Sequence, residues 1–360
     1  MAIALSMARR GLGLTAPNPS VGAVIADEAT GEVIARAVTA PGGRPHAEPQ
    51  AIALAGERAH GKTIYVTLEP CSHFGKTPPC ADAIIAGGLQ RAVVAIEDPD
   101  PRVAGRGLDR LRATGIEVSR GLGAEQARWI TRGHVVRVTE RRPLVTLKLA
   151  LGADGSVPRG DGAQPTFVTS PQARAHGHLL RAMNDAILIG AGTLQADNPV
   201  LTCRLPGLEA RTPLRVVLSK HMRVPLTARL FDDAAAFPVL CVSGFGVSQQ
   251  LEAALSAKGV ELARVTAVGG QLWLPAVMET LVARGITRLL VEGGPAMWRA
   301  FADNALADEI MIYVAGTAGK TARSQDILAH AARWLGPLPL AIADTRAIGP
   351  DRLWRLHPAH

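Results

Sequence analysis

Four cysteines in 360 residues are too few for a disulfide framework, and thiols this sparse are more often metal ligands or inert core residues than bridges. No stretch approaches the roughly 20 uninterrupted apolar residues of a membrane span, and Met1 to Thr15 lacks the order of a secretory signal. The expected location is therefore the cytoplasm, with no membrane partner. Charged residues are only 19% and aromatics 4%, against 48% hydrophobic residues, which excludes a disordered chain and a collagen-like repeat. The net charge of +8 has no basic block behind it. Residues 1–142 carry 18 Lys+Arg against 14 Asp+Glu and the remainder 21 against 17, so each part contributes +4. A diffuse excess reads as solvated surface, not as a nucleic-acid footprint. What is present suffices for two ordinary cores, at about 150 residues each.

The chain alternates short apolar strands with helices, the pattern of an α/β protein. In the first part, strands are predicted at residues 21–26, 33–38, 63–68 and 92–96, and helices at 3–10, 46–59, 80–86, 107–114 and 129–142. Arg141-Arg142-Pro143 ends the last helix, because proline blocks its continuation, and the domain boundary is placed there. Strands at 144–151, 186–190, 214–218, 239–242, 288–292 and 309–314 follow, with helices at 171–183, 248–257, 274–284 and 296–304. Residues 160–165 and 205–212 read as loops. Cys203 and Cys241 are expected to be small buried residues without a redox role.

His46-Ala47-Glu48 opens one predicted helix, and Pro70-Cys71 with Pro79-Cys80 brackets the start of another. One imidazole and two thiolates supply three of the four positions that zinc prefers, the arrangement of a catalytic site with an open fourth position. A helix N-terminus favours the thiolate form that a metal needs. Glu48 then stands where it can shuttle a proton. A closed structural site would need a fourth protein ligand, for which His73 is the nearby choice.

These residues resemble the zinc-dependent cytidine-deaminase-like superfamily, whose signature is H-x-E…P-C-x-x-C, except that eight residues separate the two cysteines here. The longer run Thr67–Cys80, with Pro17-Asn18-Pro19-Ser20-Val21-Gly22 before it and Asp98–Gly107 after it, resembles the deaminase half of the bifunctional pyrimidine deaminase/reductase family of riboflavin biosynthesis. The resemblance implies a three-layer cytidine-deaminase-like domain over residues 1–142. It also implies hydrolytic deamination of 2,5-diamino-6-ribosylamino-4(3H)-pyrimidinone 5′-phosphate. On this likeness His46, Cys71 and Cys80 bind Zn2+, Glu48 is the proton donor, and Asn18, His73 and Lys76 contact substrate. Thr39 stands where the family often places a pocket histidine.

By themselves, residues 143–360 show only glycine-rich strand ends, of which Val291-Glu292-Gly293-Gly294-Pro295 suits an anion at a helix N-terminus. Following the first half, they are similar to the family's reductase, a dihydrofolate-reductase-like domain that uses NADPH to convert ribosyl to ribityl. The matching runs are Leu147–Leu149, Asp154-Gly155, Thr169–Arg174, Leu179–Arg181, Thr193 through Pro199, Leu201–Arg204 and Val291–Pro295. The likeness implies cofactor contacts at Lys148, Ala150, Phe167, Thr193, Asp197, Ser219 and Gly294. It implies substrate contacts at Arg181, Leu201, Arg204 and Glu292, with two arginines converging on a phosphate. Phe167-Val168, Pro165 and Leu218 depart from the family's usual residues. The C-terminal apolar elements suit a homo-oligomer through this domain. Two rivals share these residues: a deaminase with a degenerate or differently specific second domain, and a zinc-stabilised nucleic-acid-binding protein.

Overall fold

The computed structural model describes residues 1–75, 77–101, 103–157, 167–317 and 323–359. It divides into two compact units, Met1–Pro143 and Leu144–His360.

In the first unit, helix α1 (Ala2–Gly11) leads to strands β1 (Gly22–Ala26) and β2 (Val33–Val38), then to helix α2 (Ala47–Ala55). Strand β3 (Thr63–Val66), helix α3 (Cys80–Ala86), strand β4 (Arg91–Val94) and helix α4 (Arg106–Ala113) follow. Strand β5 (Glu117–Arg120) and helix α5 (Ala124–Glu140) complete it. The five strands are ordered β2-β1-β3-β4-β5, antiparallel at β1 and parallel from β3 to β5. Helix α2 packs on β1, β2 and α3, and α3 on α4, whereas α1 packs on the same strands and on α5. This is a sheet covered on both sides, and its inner strands β1, β3 and β4 are largely apolar for that reason. The predicted strands are present with ends displaced by at most two residues. Strand β5 was not anticipated: its residues Glu-Val-Ser-Arg lie on a half-exposed sheet edge and carry no apolar run. Helix α5 begins five residues before the predicted Trp129, at a left-handed Gly123 with φ of 74°.

The second unit opens with β6 (Leu144–Leu151), α6 (Pro171–Ala182), β7 (Ala186–Gly190) and α7 (Ala191–Asp197). Next come β8 (Leu214–Leu218), β9 (Val239–Ser243), α8 (Gln249–Ala257) and β10 (Val260–Arg264). A small hairpin, β11 (Ala267–Val268) with β12 (Gln271–Leu272), precedes α9 (Leu274–Ala283), β13 (Arg288–Val291) and α10 (Pro295–Asp303). The chain closes with β14 (Glu309–Val314), α11 (Ser324–Leu335), β15 (Leu340–Ile348) and β16 (Asp351–Pro358). Nine strands form one sheet ordered β10-β9-β8-β7-β13-β6-β14-β16-β15. It is parallel from β10 to β14, and β16 and β15 run antiparallel. The sixth predicted strand, β14, thus lies inside the sheet, and β13 inserts between β6 and β7.

Alternation along β6 sends Val145, Leu147, Leu149 and Leu151 into one core and turns Thr146, Lys148 and Ala150 to the other face. That other face, built around Ile187, Ile189, Leu290 and Tyr313, lies beneath α6. Helix α6 starts where Pro171 supplies the first-turn geometry and the Ser170 hydroxyl accepts from Ala173 N. Cys203 and Cys241 are both buried.

Candidate functional site

His46 caps α2, Cys80 is the first residue of α3, and Cys71 lies in the turn that follows β3. Their donor atoms all lie within 4.8 Å of one another. His46 Nδ1 is 3.2 Å from Cys80 Sγ and 3.8 Å from Cys71 Sγ, and the Cys80 backbone N–H donates to Cys71 Sγ at 3.3 Å. The other imidazole nitrogen, Nε2, is 3.3 Å from Asn18 Nδ2, which also donates to Gly43 O at 2.8 Å. Asn18 therefore sits behind the imidazole as well as beside the site.

The electrostatics favour a cation here. Hydrogen bonding from Cys80, with a further bond from His46, pulls the Cys71 thiol down to about 4. The same shared proton, together with burial, pushes Cys80 up, so one thiolate forms readily and a second needs a cation between the sulfurs. Glu48, 3% exposed, is raised by burial to about 7, and its Oε2 is buried without a hydrogen-bond partner. Two sulfurs, one imidazole nitrogen and an adjacent unpartnered carboxylate oxygen fit zinc with an open position. His73 is exposed and stands outside the cluster, so no fourth protein ligand closes the site among the described residues. Lys76 lies outside the described residues, as do Pro165 and the 160–165 loop. Thr39 is buried and accepts from Val21 N at 3.0 Å while donating to Pro19 O at 3.2 Å. Its hydroxyl ties down the segment that carries Asn18.

In the second unit, Lys148 on β6, Arg181 on α6 and Glu292 just after β13 converge. Arg181 Nε and Nη2 each donate to a Glu292 oxygen at 2.9 Å, and Arg181 Nη1 donates to Thr202 O at 3.0 Å. Lys148 Nζ lies 3.5 Å from Glu292 Oε2 and over the Tyr313 ring, 5.8 Å from its centre. Burial works to raise the Glu292 carboxyl, yet Arg181 and Lys148 hold it down at about 2. Of the two arginines expected at the phosphate, Arg181 makes a bidentate pair with Glu292, and Arg204 lies near enough to Arg181 to be repelled by it. The Arg204 guanidinium is lowered by burial and by repulsion from Arg181 and Arg229, a concentration of like charge that an anion relieves. Leu201 places its side chain in the core, 2% exposed, with its backbone left-handed at φ of 62°.

Of the proposed dinucleotide residues, Thr193, Ser219 and Gly294 lie just past the carboxyl ends of the parallel strands β7, β8 and β13, the usual place for ligands in such sheets. Thr193 is in α7 and Gly294 caps α10; a Cβ on Gly294 would lie 4.0 Å from Thr193 Oγ1. No side chain caps α10 at Gly294; Pro295 has no N–H and Met297 N donates to Gly294 O at 2.9 Å, so this helix end offers an anion chiefly the positive end of its dipole, a fit for a cofactor phosphate. Ser219 follows β8 and its Oγ accepts from Arg223 N at 3.1 Å. Asp197 ends α7, its carboxyl raised by burial. Ala150 shares the Lys148 face, and Phe167 is 61% exposed beneath the Arg174 guanidinium. Leu218, where the family usually has aspartate, is buried in the core.

Sequence reading missed several residues of this site. His178 accepts from Arg204 N at 3.3 Å and is pushed to about 4 by burial and then by Arg181 and Arg204, so it is neutral at pH 7. The Tyr313 hydroxyl and His176 Nδ1 lie 2.6 Å apart, within hydrogen-bond distance. The one available signal was the spacing of His178 three residues before Arg181 on one helix.

Residues 1–96 match the cytidine and deoxycytidylate deaminase zinc-binding region, and residues 143–334 match the RibD C-terminal domain. The chain is 38% identical to the riboflavin biosynthesis protein RibD of Aquifex aeolicus, over 88% of this chain and 85% of that protein. It is 36% identical to the RibD of Escherichia coli, over 98% and 96%. The Acinetobacter baumannii RibD structure superposes with a TM-score of 0.83 at 32% identity, covering 100% of this chain and 98% of that one. A Thermotoga maritima diaminohydroxyphosphoribosylaminopyrimidine deaminase/5-amino-6-(5-phosphoribosylamino)uracil reductase superposes with 0.81 at 30%, covering 100% and 97%. A thiolate–imidazole cluster of zinc type in the first unit and an NADPH-using reductase in the second agree with these likenesses, and the chain belongs to the RibD family, the bifunctional deaminase–reductases of riboflavin biosynthesis.

Proposed function

We propose that residues 1–142 deaminate 2,5-diamino-6-ribosylamino-4(3H)-pyrimidinone 5′-phosphate and that residues 143–360 reduce the ribosyl group of the product to ribityl. The observation that carries this reading is the unpartnered, buried Glu48 oxygen beside the His46, Cys71 and Cys80 donors. When bound, zinc supplies the Lewis acidity that makes hydroxide available near neutral pH. Glu48, titrating near 7, takes up the proton of the attacking water and delivers it to the leaving amine. Asn18 orients the pyrimidine while its backing of His46 keeps the imidazole in place; His73 and Lys76 complete the substrate contacts.

In the second unit, NADPH when bound supplies the hydride for C1′ of the opened ribose. Thr193, Asp197, Ser219, Gly294, Ala150, Phe167 and Lys148 hold the cofactor side. Glu292, oriented by Arg181, accepts ribose hydroxyls, the Leu201 backbone borders the sugar, and Arg204 meets the phosphate. The enzyme is cytoplasmic, associates with a second copy through the reductase unit, and takes no nucleic acid. Presenting the purified protein with the deaminated intermediate and following NADPH absorbance tests the second activity. Oxidation is expected; none at all would leave the degenerate-domain rival standing. Salt-sensitive RNA or DNA binding would argue for the other rival.

A further inference from the structure

Glu69, two residues before Cys71, is 3% exposed. Its carboxylate is spent on backbone groups of a segment some thirty to forty positions away. Oε2 accepts from Asp98 N at 3.2 Å and Gly105 N at 3.0 Å. Oε1 accepts from Gly107 N at 2.9 Å and Leu108 N at 3.4 Å. Glu69 N in turn donates to Ile96 O at 3.0 Å. Helix α4 starts at Arg106, and its own cap residue, Gly105, has no side chain to offer. Glu69 thus caps α4 from a distant part of the chain, at the end where a negative charge is stabilised.

The two glycines of this segment are explained by the same contact. Gly105 has φ of 78°, a left-handed conformation that turns its N–H toward Glu69. A Cβ on Gly107 would lie 2.0 Å from Pro70 O, so only glycine lets α4 rest against the residue that precedes Cys71. The Asp98–Gly107 motif, which the deamination chemistry leaves unexplained, is a backing plate for a metal-ligand arm.

We propose that Glu69 is a positioning residue of the deaminase, which locks the Pro70–Cys71 arm onto the Asp98–Gly107 segment so that the Cys71 sulfur is held ready for the metal. This rests on Cys71 being a zinc ligand. Outer groups that orient metal ligands typically contribute 10–100-fold in affinity or activity. In Glu69→Gln, an amide NH₂ replaces one acceptor oxygen and faces N–H groups that it cannot bond.

The test uses the full chain, with zinc affinity measured by chelator competition alongside deaminase and reductase kinetics. For Glu69→Gln the expected result is zinc affinity lowered roughly 10–100-fold. Deaminase kcat at saturating zinc should fall about 10-fold with KM within about 3-fold, and the reductase rate should be unchanged. Wild-type zinc affinity, or a rise in KM alone, would overturn the proposal. If Glu69→Gln does not accumulate as folded protein, Glu69→Asp keeps the anion and shortens its reach; it too must lose zinc affinity, and an unchanged value overturns the proposal. Cys71→Ser separates the two layers. Should it keep wild-type zinc affinity, the ligand assignment fails; should it lose zinc while Glu69→Gln does not, only the role of Glu69 fails.

Discussion

In the first unit, three donor atoms from two helix starts and one turn meet within 4.8 Å, and the sheet serves to bring those chain ends together. In the second, Arg181 and Glu292 are 111 residues apart and meet because β13 inserts between β6 and β7. The first site is defined by atom types, since few side chains ligate zinc. The second is defined by charge balance, with Glu292 holding Arg181 and Lys148 and Arg204 repelled by Arg181. A metal site therefore tolerates change in its surroundings better than in its donors, whereas an ion network depends on every member.

The sharpest way to separate the two sites is Glu48→Gln. Deamination should fall by about 10²–10⁴-fold, with zinc content and NADPH oxidation on the deaminated intermediate unchanged. Full deaminase activity in this variant would refute the proton-transfer role. Stripping zinc with a chelator should likewise abolish deamination and spare reduction, as read from the two assays on one sample.

For the second site, Glu292→Gln leaves Arg181 buried without its counter-charge. The second unit is then expected to lose about 3–5 kcal/mol, seen as a lower melting transition with reductase activity lost and deaminase activity kept. The pH dependence has a definite direction. Glu292 is held at about 2, below its ordinary 4.5, so its ionised form stabilises the fold fully above about 4.5. That contribution, a few kcal/mol at most, is lost as pH falls from about 4.5 towards 2, and acid titration of Glu292→Gln should show a flatter curve.

A smaller effect is expected at Arg215, whose side chain is fully buried on β8. It donates to Asp233 Oδ1 at 2.6 Å and to Val200 O at 3.0 Å, next to the left-handed Leu201. Arg215→Met should cost about 2–4 kcal/mol through the stranded acceptors and raise the reductase KM for substrate before it affects kcat. At the far end, Glu32→Ala removes an ion pair to Arg58 whose side chains are 55% and 59% exposed. It should move neither activity nor melting temperature beyond experimental error.

Legibility follows the same division. His46, Cys71 and Cys80 could be picked out because histidine and cysteine beside helix starts are few in this chain. Arg181 and Glu292 could be named only through family likeness, and their pairing with each other not at all, because pairing across 111 positions leaves no local pattern. Two of the strands that escaped reading lie at sheet edges. Edge strand β15 (Leu340–Ile348) has no fully buried position, and β5 has none either, so neither carries the apolar alternation that marks a strand. Helix α7 spans seven residues, too short for a helical period to stand out.

By itself, the sequence determined the two-unit α/β character and picked out the His46, Cys71 and Cys80 cluster with Glu48 beside it, because these depend on residue type and short-range period. The tertiary structure alone decided that Glu69 caps α4, that Thr39 ties down the Asn18 segment, and that Arg181 belongs to Glu292. Each of these is a buried polar group that must find its partner wherever the packed chain brings one, and no local feature of the sequence records where that will be.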